Sequence, residues 1–313
     1  MERLAIEDES DMHKVLITGG SGLLGSNTAK LATPKFDVYA TYNESEVNMK
    51  NVHFFRIDLT KKEQLAKIEK IKADFMIHCV ALTDVDYCER NPDKAYNQNV
   101  LTSINVAEIA GKIGAYLIHI STDSVFDGTK GNYKEDDMPN PINVYGKTKL
   151  EAEQKVASIH SHSCIVRTNI YGWNKRDKFS LAEWMLDKLT NNEELPALED
   201  IHFSPILVND LAEILFKLQE KKYEGIIHIA GSETYSKLDF AYMIAELFDL
   251  DRSLIKPIRI RELELRAPRA KNTSLNIWKA ENILKVHLPG VRQGLEKMKR
   301  LREEGYVQEL KHG

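Results

Sequence analysis

Short, nearly continuous apolar runs alternate with helical segments along the first part of the chain. The runs are rich in Val, Ile and aromatic residues and do not alternate with polar positions, so we expect strands that are buried on both faces. The expected strands are KVLITG, FDVYATY, VHFFRID, FMIHCVA, AYLIHIS and SCIVRT, followed much later by GIIHIAG. Between them, SNTAKLAT, KEQLAKIEKI and SINVAEIAGKIG have helical periodicity. This alternation predicts an α/β fold with a doubly wound parallel sheet, which binds ligands at the carboxyl ends of its strands.

Composition and charge exclude several classes of function. The 313 residues are 42% hydrophobic, enough for a substantial core, and carry a net charge of −4. With that charge and no basic run, the chain offers no attractive field for nucleic acid or an anionic membrane, and no apolar stretch approaches the roughly 20 residues of a membrane span. Cys79, Cys88 and Cys164 have no metal-ligand spacing and are typical of reduced thiols, so we expect a cytoplasmic protein. His160 and His162 lack nearby ligand partners, so no metal site is predicted.

A glycine-rich turn between the first strand and the first helix predicts a diphosphate site. Glycines let the backbone turn tightly, approach a phosphate closely and pack the helix on the sheet, while the helix N-terminus presents free N–H groups. Because the motif opens an α/β chain, it favours dinucleotide binding by a Rossmann-type domain over a plain tight turn. The predicted cofactor contacts in this turn are Gly19, Ser21, Gly22, Leu23, Leu24 and Gly25.

The end of the second strand indicates which dinucleotide binds. A carboxylate about 20 residues beyond the glycines usually holds the ribose of NAD and repels the additional phosphate of NADP. Here the strand ends Thr41-Tyr42-Asn43, Glu44 comes slightly late, and no arginine is nearby. Hydroxyl and amide donors such as Asn43 accommodate a phosphate, so NADP(H) is favoured, with NAD(H) as the alternative cofactor.

Beyond residue 170 the pattern loosens and predicts a second, smaller lobe. NNEELPALEDIHFSPI is polar and proline-marked, whereas VNDLAEILFKLQEKK is typical of an amphipathic helix. We expect an NAD(P)-binding Rossmann domain at residues 12–168 plus about 205–231, and a substrate-binding lobe at about 169–204 plus 232–313. Residues 1–11 are acidic and lack the hydrophobic run of a secretory signal, so we interpret them as a mobile extension, with Met12 as an alternative start.

A tyrosine and a lysine four residues apart form the candidate proton donor. Tyr145 lies just before the helix-forming run KTKLEAEQKVA and Lys149 lies within it, after the fifth strand and its loop STDSVFDG, so we expect them to share one helix face. Tyr171 and Lys175 have the same spacing, but Tyr171 is followed by Gly-Trp-Asn, which resists a helix. A nearby ammonium should lower the phenol's pKa from about 10, while Thr122 should hydrogen-bond the same carbonyl oxygen. We expect Thr122, Tyr145 and Lys149 to be catalytic in hydride reduction of a carbonyl; a surface pair is the alternative.

Longer segments of the chain resemble the dTDP-4-dehydrorhamnose reductases of the extended short-chain dehydrogenase/reductase superfamily. The matching segments are STDSVFDGTKGNYKEDDMPNPINVYGKTKLEAE, ALTDVDYCERNPDKAYNQN, FSP, HIAGSETYSKLDFA and PRAKNTSLN, between about residues 14 and 300. The resemblance implies NAD(P)H-dependent reduction of the 4-keto group of dTDP-4-dehydro-6-deoxy-L-mannose to dTDP-L-rhamnose. The expected partner is therefore a small-molecule nucleotide sugar. A homodimer is compatible with the sequence.

The resemblance also implies roles for further residues. Asp58 and Leu59 would meet the adenine, Lys149 would orient Tyr145 and the nicotinamide ribose, and Arg269 would lie near the nucleotide of the substrate. A solvated basic loop is the alternative for the segment around Arg269. Outside the glycine turn, the expected cofactor residues are Asn43, Asp58, Leu59, Val80, Ala81, Leu82, Asn99, Tyr145 and Lys149. The expected substrate residues are Thr122, Asp123, Ser124, Asn169, Arg269 and Asn272.

Two departures from the family pattern leave the exact sugar open. Ser124 stands where the family usually has tyrosine, and Asn169-Ile170 replaces the Ser-Trp that usually follows Arg-Thr. Both changes remove aromatic surface from the sugar side and leave the hydride machinery intact.

Three rival functions follow from the same superfamily. A 4,6-dehydratase would carry Glu at the position of Ser124, which argues against it. A nucleotide-sugar 4-epimerase, which returns the hydride, stays open. The third is a non-catalytic regulatory subunit resembling that of methionine adenosyltransferase, which binds cofactor and a partner enzyme; the intact Thr122, Tyr145 and Lys149 disfavour it.

Overall fold

The computed structural model describes residues 12–313, so the mobile extension predicted for residues 1–11 lies outside the described residues. Its strands are β1 (Lys14–Thr18), β2 (Asp37–Tyr42), β3 (Val52–Arg56), β4 (Phe75–His78), β5 (Tyr116–Ile120), β6 (Ser163–Arg167), β7 (Ile170–Tyr171), β8 (Leu195–Leu198), β9 (His202–Phe203), β10 (Ile206–Leu207), β11 (Gly225–His228), β12 (Tyr235–Ser236) and β13 (Ile255–Ile258). Its helices are α1 (Leu23–Ala32), α2 (Lys62–Glu69), α3 (Val85–Arg90), α4 (Pro92–Tyr96), α5 (Thr102–Ile113), α6 (Val144–Ile159), α7 (Leu181–Thr190), α8 (Val208–Lys221), α9 (Lys237–Leu247), α10 (Trp278–Leu284), α11 (Val291–Glu303) and α12 (Tyr306–His312).

Seven parallel strands form the central sheet in the order β3-β2-β1-β4-β5-β6-β11. Leu16 and Ile17 of β1 are both fully buried, although their side chains point to opposite faces, because helices cover both sides. The strand order reverses between β1 and β4, and ligands bind beyond the carboxyl ends of the strands at such a point. These seven strands are the ones that the apolar runs predict, so the Rossmann-type α/β prediction is confirmed.

The helices before α5 differ from the sequence-based expectation. α1 begins at Leu23, three residues before the predicted segment SNTAKLAT. α3, α4 and a π-helical turn at residues 97–101 lead into α5, although no helix was expected there. Local caps explain these short helices better than periodicity does: the Asp84 carboxylate accepts the Tyr87 N–H at 2.8 Å, and Pro92 occupies the first turn of α4.

The segments outside the large sheet pair in short strands. β7 pairs with β10, β9 with β12 and β8 with β13, so the polar, proline-marked stretch contains β8 and β9 and ends at the start of β10. The apolar core runs continuously from the sheet to Tyr171, Phe203 and Phe240. The C-terminal helix α12, assigned above to the second lobe, packs on α1 through a Lys30–Glu309 ion pair at 2.8 Å. The division into two domains therefore stays a prediction.

None of the helices in residues 12–313 combines the length and the apolar character needed to cross a bilayer.

Two stacked histidines lie in the centre of the sheet. The rings of His78 and His119 are 5.4 Å apart, and both side chains are buried. His78 Nδ1 lies 2.6 Å from Thr18 Oγ1, whereas neither His119 nitrogen has a hydrogen-bond partner in the described part of the chain. Burial lowers the pKa of His78 to about 3 and that of His119 well below its ordinary value, and the nearby Lys149 adds to both effects.

We expect the free energy of unfolding to fall as the pH drops from the ordinary histidine value of 6.5 towards the folded value of about 3. Unfolded histidines take up a proton in this range and the buried ones do not, which contributes up to about 1.4 kcal/mol per pH unit for each histidine. Urea unfolding at several pH values measures this slope. His119→Phe should reduce it, and the exposed His287→Asn should not. An unchanged slope in His119→Phe would contradict the prediction.

Candidate active site

The glycine turn after β1 is shaped to receive an anion. Gly19 has a φ of +73°, which L side chains rarely adopt. A Cβ on Gly25 would lie 2.2 Å from the Gly19 carbonyl oxygen, so only glycine lets α1 pack this closely on the turn. The first turn of α1 has neither an acidic residue nor a side-chain cap, so its N–H groups stay free for a diphosphate. The residues present therefore fit a dinucleotide.

A cleft of about 710 Å³ opens above this turn at the carboxyl edge of the sheet. The predicted cofactor residues that line it are Gly19, Ser21, Gly22, Asn43, Asp58, Leu59, Val80, Ala81 and Leu82. Six others, among them Tyr145 and Lys149 of α6, are not among its lining residues. Leu23, Leu24 and Gly25 lie in the supporting helix, and the Asn99 side-chain oxygen accepts the Leu82 N–H at 2.7 Å. These four hold the wall in place.

Two arginines, one that lines the cleft and one bonded to a cleft residue, correct the sequence-based expectation that no arginine is near the end of β2. Arg56 ends β3 and donates from Nε to the Asn43 carbonyl oxygen at 2.9 Å. Arg176, from the segment after β7, lines the cleft itself. The pairing of β3 with β2 places Arg56 opposite Tyr42, so a strand alignment could have found it. No local sequence signal identifies Arg176.

Tyr145 and Lys149 lie at the start of α6, which is fixed by its N-cap. The Asn143 side-chain oxygen accepts the Gly146 N–H at 2.9 Å and begins the helix. Tyr145 is buried and packs in one cluster with Leu82, a residue of the cleft wall. Lys149 is 1% exposed and donates from Nζ to the Ile120 carbonyl oxygen at 2.7 Å, at the end of β5.

The pKa values of this pair correct a second expectation. Burial raises the pKa of Tyr145 to about 12, and the neighbouring Thr122 hydroxyl only partly opposes that rise. The predicted lowering of the phenol's pKa by Lys149 is therefore wrong, because the cost of burying a phenolate dominates and the ammonium binds the Ile120 carbonyl. Burial lowers the pKa of Lys149 to about 8, against the influence of Glu153.

The second tyrosine–lysine pair serves packing. Tyr171 lies in β7 and its ring packs edge-on against Phe240 at 5.1 Å. Lys175 donates from Nζ to the Leu310 carbonyl oxygen at 2.7 Å, near the end of α12. This pair therefore lies outside the candidate site.

A buried ion pair fixes the chain beside Lys149. Glu153 and Arg167 are 2% and 1% exposed, and Arg167 donates from Nη2 to Glu153 Oε2 at 2.7 Å. Glu153 also accepts the Ser121 hydroxyl, and Ser121 lies between Ile120 and Thr122. The ion pair therefore connects α6, β6 and the end of β5.

Asp123 organises the predicted sugar side. Its carboxylate is 2% exposed and accepts from Thr273 Oγ1 at 2.7 Å and from Asn169 Nδ2 at 2.8 Å. The hydroxyls of Thr122 and Ser124 donate to its other oxygen at 3.2 Å. Burial raises the pKa of Asp123, and these hydrogen bonds oppose the rise. Four of the predicted substrate residues thus lie together, and Thr273, which lies about 150 positions along the chain from Asp123, was missed.

The basic loop around Arg269 is docked on the helices rather than solvated. Arg269 forms a 2.8 Å ion pair with Asp86 of α3, and Asn143 Nδ2 donates to the Pro268 carbonyl oxygen at 3.0 Å. The side-chain oxygen of Asn272 accepts the Ser274 hydroxyl at 2.8 Å. Arg269 therefore lies beside the start of α6, whereas the oxygen of Asn272 is already used within its own turn.

Comparisons with known proteins show the family and the fold of this chain. The family model described as RmlD substrate binding domain matches residues 12–302. Methionine adenosyltransferase 2 subunit beta from Bos taurus is 34% identical over 302 residues, which cover 89% of this chain and 85% of the relative. A dTDP-4-dehydrorhamnose reductase from Aggregatibacter actinomycetemcomitans is 31% identical over 286 residues, covering 86% and 92%. The crystal structure of dTDP-4-dehydrorhamnose reductase from Bacillus anthracis in complex with NADP is similar with a TM-score of 0.83 and 28% identity, covering 92% of this chain and 99% of that one.

Gly25→Ala should weaken NADP⁺ binding about tenfold or more, a change of ~1.4 kcal/mol, because the new Cβ pushes α1 away from the turn. Isothermal titration calorimetry measures the dissociation constant, and circular dichroism verifies that the variant is folded. Gly111→Ala is the matched control, since its Cβ would have no neighbour nearer than His160 Nδ1 at 3.4 Å. Wild-type affinity in folded Gly25→Ala would remove the glycine turn from the cofactor site.

Proposed function

The chain belongs to the dTDP-4-dehydrorhamnose reductase family of the extended short-chain dehydrogenase/reductase superfamily, and from that membership we propose that it is an NAD(P)H-dependent oxidoreductase. Its proposed reaction is reduction of the 4-keto group of a nucleotide-activated deoxysugar. The proposed substrate is dTDP-4-dehydrorhamnose, and the product is dTDP-L-rhamnose.

The convergence of three residues at the end of β5 carries this proposal. Thr122 follows β5, Lys149 binds the last carbonyl of that strand, and Tyr145 packs against the wall of the cofactor cleft. A carbonyl held there would face both a proton donor and the cofactor cleft. This arrangement supports hydride reduction better than binding alone.

The residues of this chain would divide the chemistry between them. Bound NAD(P)H would supply the hydride. Tyr145, with a pKa of about 12, keeps its proton at neutral pH and would give it to the oxygen where negative charge develops. Thr122 would hydrogen-bond the same oxygen, and the Lys149 ammonium would stabilise the charge left on the phenol. Asp123 would bind hydroxyls of the sugar.

The cofactor cleft supports NADP(H) over NAD(H). Asn43 lines the cleft where the adenosine ribose would lie, and Arg56 and Arg176 add positive charge on that side. Glu44 also lines the cleft and favours a ribose hydroxyl, so NAD(H) stays the alternative.

A second candidate function is a cofactor-binding subunit of a methionine adenosyltransferase. The 34% identity to the bovine beta subunit, spread over 302 residues, favours it. It predicts a stoichiometric protein partner and no turnover of keto sugars, whereas an epimerase would interconvert nucleotide sugars without net consumption of NAD(P)H.

A panel of nucleotide 4-keto sugars, including dTDP-4-dehydrorhamnose, separates these functions. We expect the purified protein to oxidise NADPH in proportion to the alcohol formed. Epimer interconversion without NADPH consumption would overturn the reductase proposal. Absence of turnover together with a stoichiometric partner in a pull-down would favour the subunit.

Tyr145→Phe should lower the rate of reduction by about 10² to 10⁴, because the proton donor is lost while the ring still packs. The dissociation constant for NADPH, measured by fluorescence titration, should stay nearly unchanged. Tyr171→Phe is the control and should retain wild-type turnover. Retained turnover in Tyr145→Phe would exclude this residue as the acid.

The reduction rate should fall as the pH rises through about 8, where Lys149 loses its charge, since the Tyr145 phenol stays protonated until about 12. A pH profile of kcat checks this. The Lys149→Met variant should reduce the substrate more slowly and should lack the fall in rate near pH 8. The exposed Lys256→Met variant should reproduce the wild-type profile. The same inflection in Lys149→Met would assign it to another group.

A further inference from the structure

A lysine that the sequence pattern did not single out lies on an element that is connected with the predicted sugar side. Lys237 is the first residue of α9, and its backbone N–H donates to the Ile201 carbonyl oxygen at 3.0 Å. Its side chain is half-buried, yet no group in the described residues accepts a hydrogen bond from its ammonium. A partly desolvated cation without a partner is costly, so the position calls for an anion.

Strand pairing connects the segment of Lys237 with Asp123, the carboxylate of the predicted sugar side. Ser236, just before the lysine, lies opposite His202 in the β12–β9 pair. The His202 carbonyl oxygen accepts the Thr273 N–H at 3.1 Å, and the Thr273 hydroxyl donates to Asp123. Two backbone pairings and one side-chain bond thus connect the start of α9 with the buried carboxylate.

The charged groups that shift the pKa of Lys237 lie on the predicted sugar side. Burial lowers the pKa of Lys237, Arg269 lowers it further, and Asp123 acts in the opposite direction. The charges that act on the ammonium thus belong to the docked arginine and to the carboxylate of the predicted sugar side.

The neighbouring groups already have partners. Arg269 is paired with Asp86, and Asp123 accepts from neutral hydroxyl and amide donors. At the start of α9, Ser236 accepts the Asp239 N–H at 2.9 Å and donates to the Asp239 carboxylate at 2.6 Å. Among these groups, the positive one without a partner is the Lys237 ammonium.

We propose that Lys237 binds the diphosphate of a nucleoside-diphosphate sugar, on the side of Asp123 and facing Arg269. A lysine ammonium acts as a compact point charge for a phosphate and can donate three hydrogen bonds. This inference rests on the proposed function, because a nucleotide sugar that bound Asp123 would have its diphosphate near Lys237. Lys237 is thus a binding residue that selects phosphorylated substrates.

Calorimetric titration with dTDP, UDP, GDP and thymidine tests the subsite. Lys237→Met should weaken binding of the nucleoside diphosphates that bind wild type by about 10- to 100-fold, as expected for loss of a charged hydrogen bond. Thymidine and NADP⁺ affinity should stay unchanged. Lys237→Arg should restore most of the diphosphate affinity, and exposed Lys256→Met is the control. Lys237→Gln replaces Lys237→Met if the methionine variant is unstable.

Each outcome tests either the binding of diphosphate by Lys237 or the proposed reduction. Equal diphosphate affinity in wild type and Lys237→Met, or wild type that binds no nucleoside diphosphate, overturns the inference. Selective loss of diphosphate binding supports it even if wild type reduces no 4-keto sugar, in which case only the proposed reduction fails. Reduction by wild type with an unchanged KM in Lys237→Met supports the reaction and overturns the subsite.

Discussion

The buried ion pair between Glu153 and Arg167 is the interaction on which the candidate site depends. Burying two charges is costly, and the cost is offset only when the geometry is good and further hydrogen bonds are made. Here the Ser121 hydroxyl adds such a bond, so β5, β6 and α6 are held in one relative position. Lys149 lies one helical turn before Glu153, which favours its charged form against burial. The orientation of the ammonium towards Ile120 follows from this arrangement.

Local patterns predict the part of the protein that local physics determines. Strands covered on both faces must be apolar along their whole length, so the seven apolar runs identify the seven strands of the sheet. The glycine turn is equally local, because Gly19 and Gly25 meet a steric demand within a few residues. The order of the strands then brings the carboxyl ends of β1, β4 and β5 to one edge, where nine of the predicted cofactor residues line the cleft.

The features that sequence reasoning missed all depend on distant contacts or on burial. Thr273 reaches Asp123 only because β9 and the segment at 272–274 pair, and Arg176 reaches the cleft from beyond β7. The direction of the Tyr145 pKa shift is another property that the local sequence does not predict. The spacing of a lysine reveals a nearby charge, but the depth of burial, which decides the sign here, appears only in three dimensions.

The two sides of the site place different demands on the chain. In the proposed reaction, proton donation to a carbonyl requires one fixed set of groups, and Thr122, Tyr145 and Lys149 would supply it. Sugar recognition depends on shape and hydrogen bonds, and here the family's aromatic positions are taken by Ser124 and by Asn169-Ile170. Ser124 and Asn169 both donate to Asp123, so the change replaces apolar contact surface with hydrogen-bond donors to this carboxylate. Such a pocket would discriminate by hydroxyl pattern more than by ring stacking, because a buried polar group left unpaired is costly.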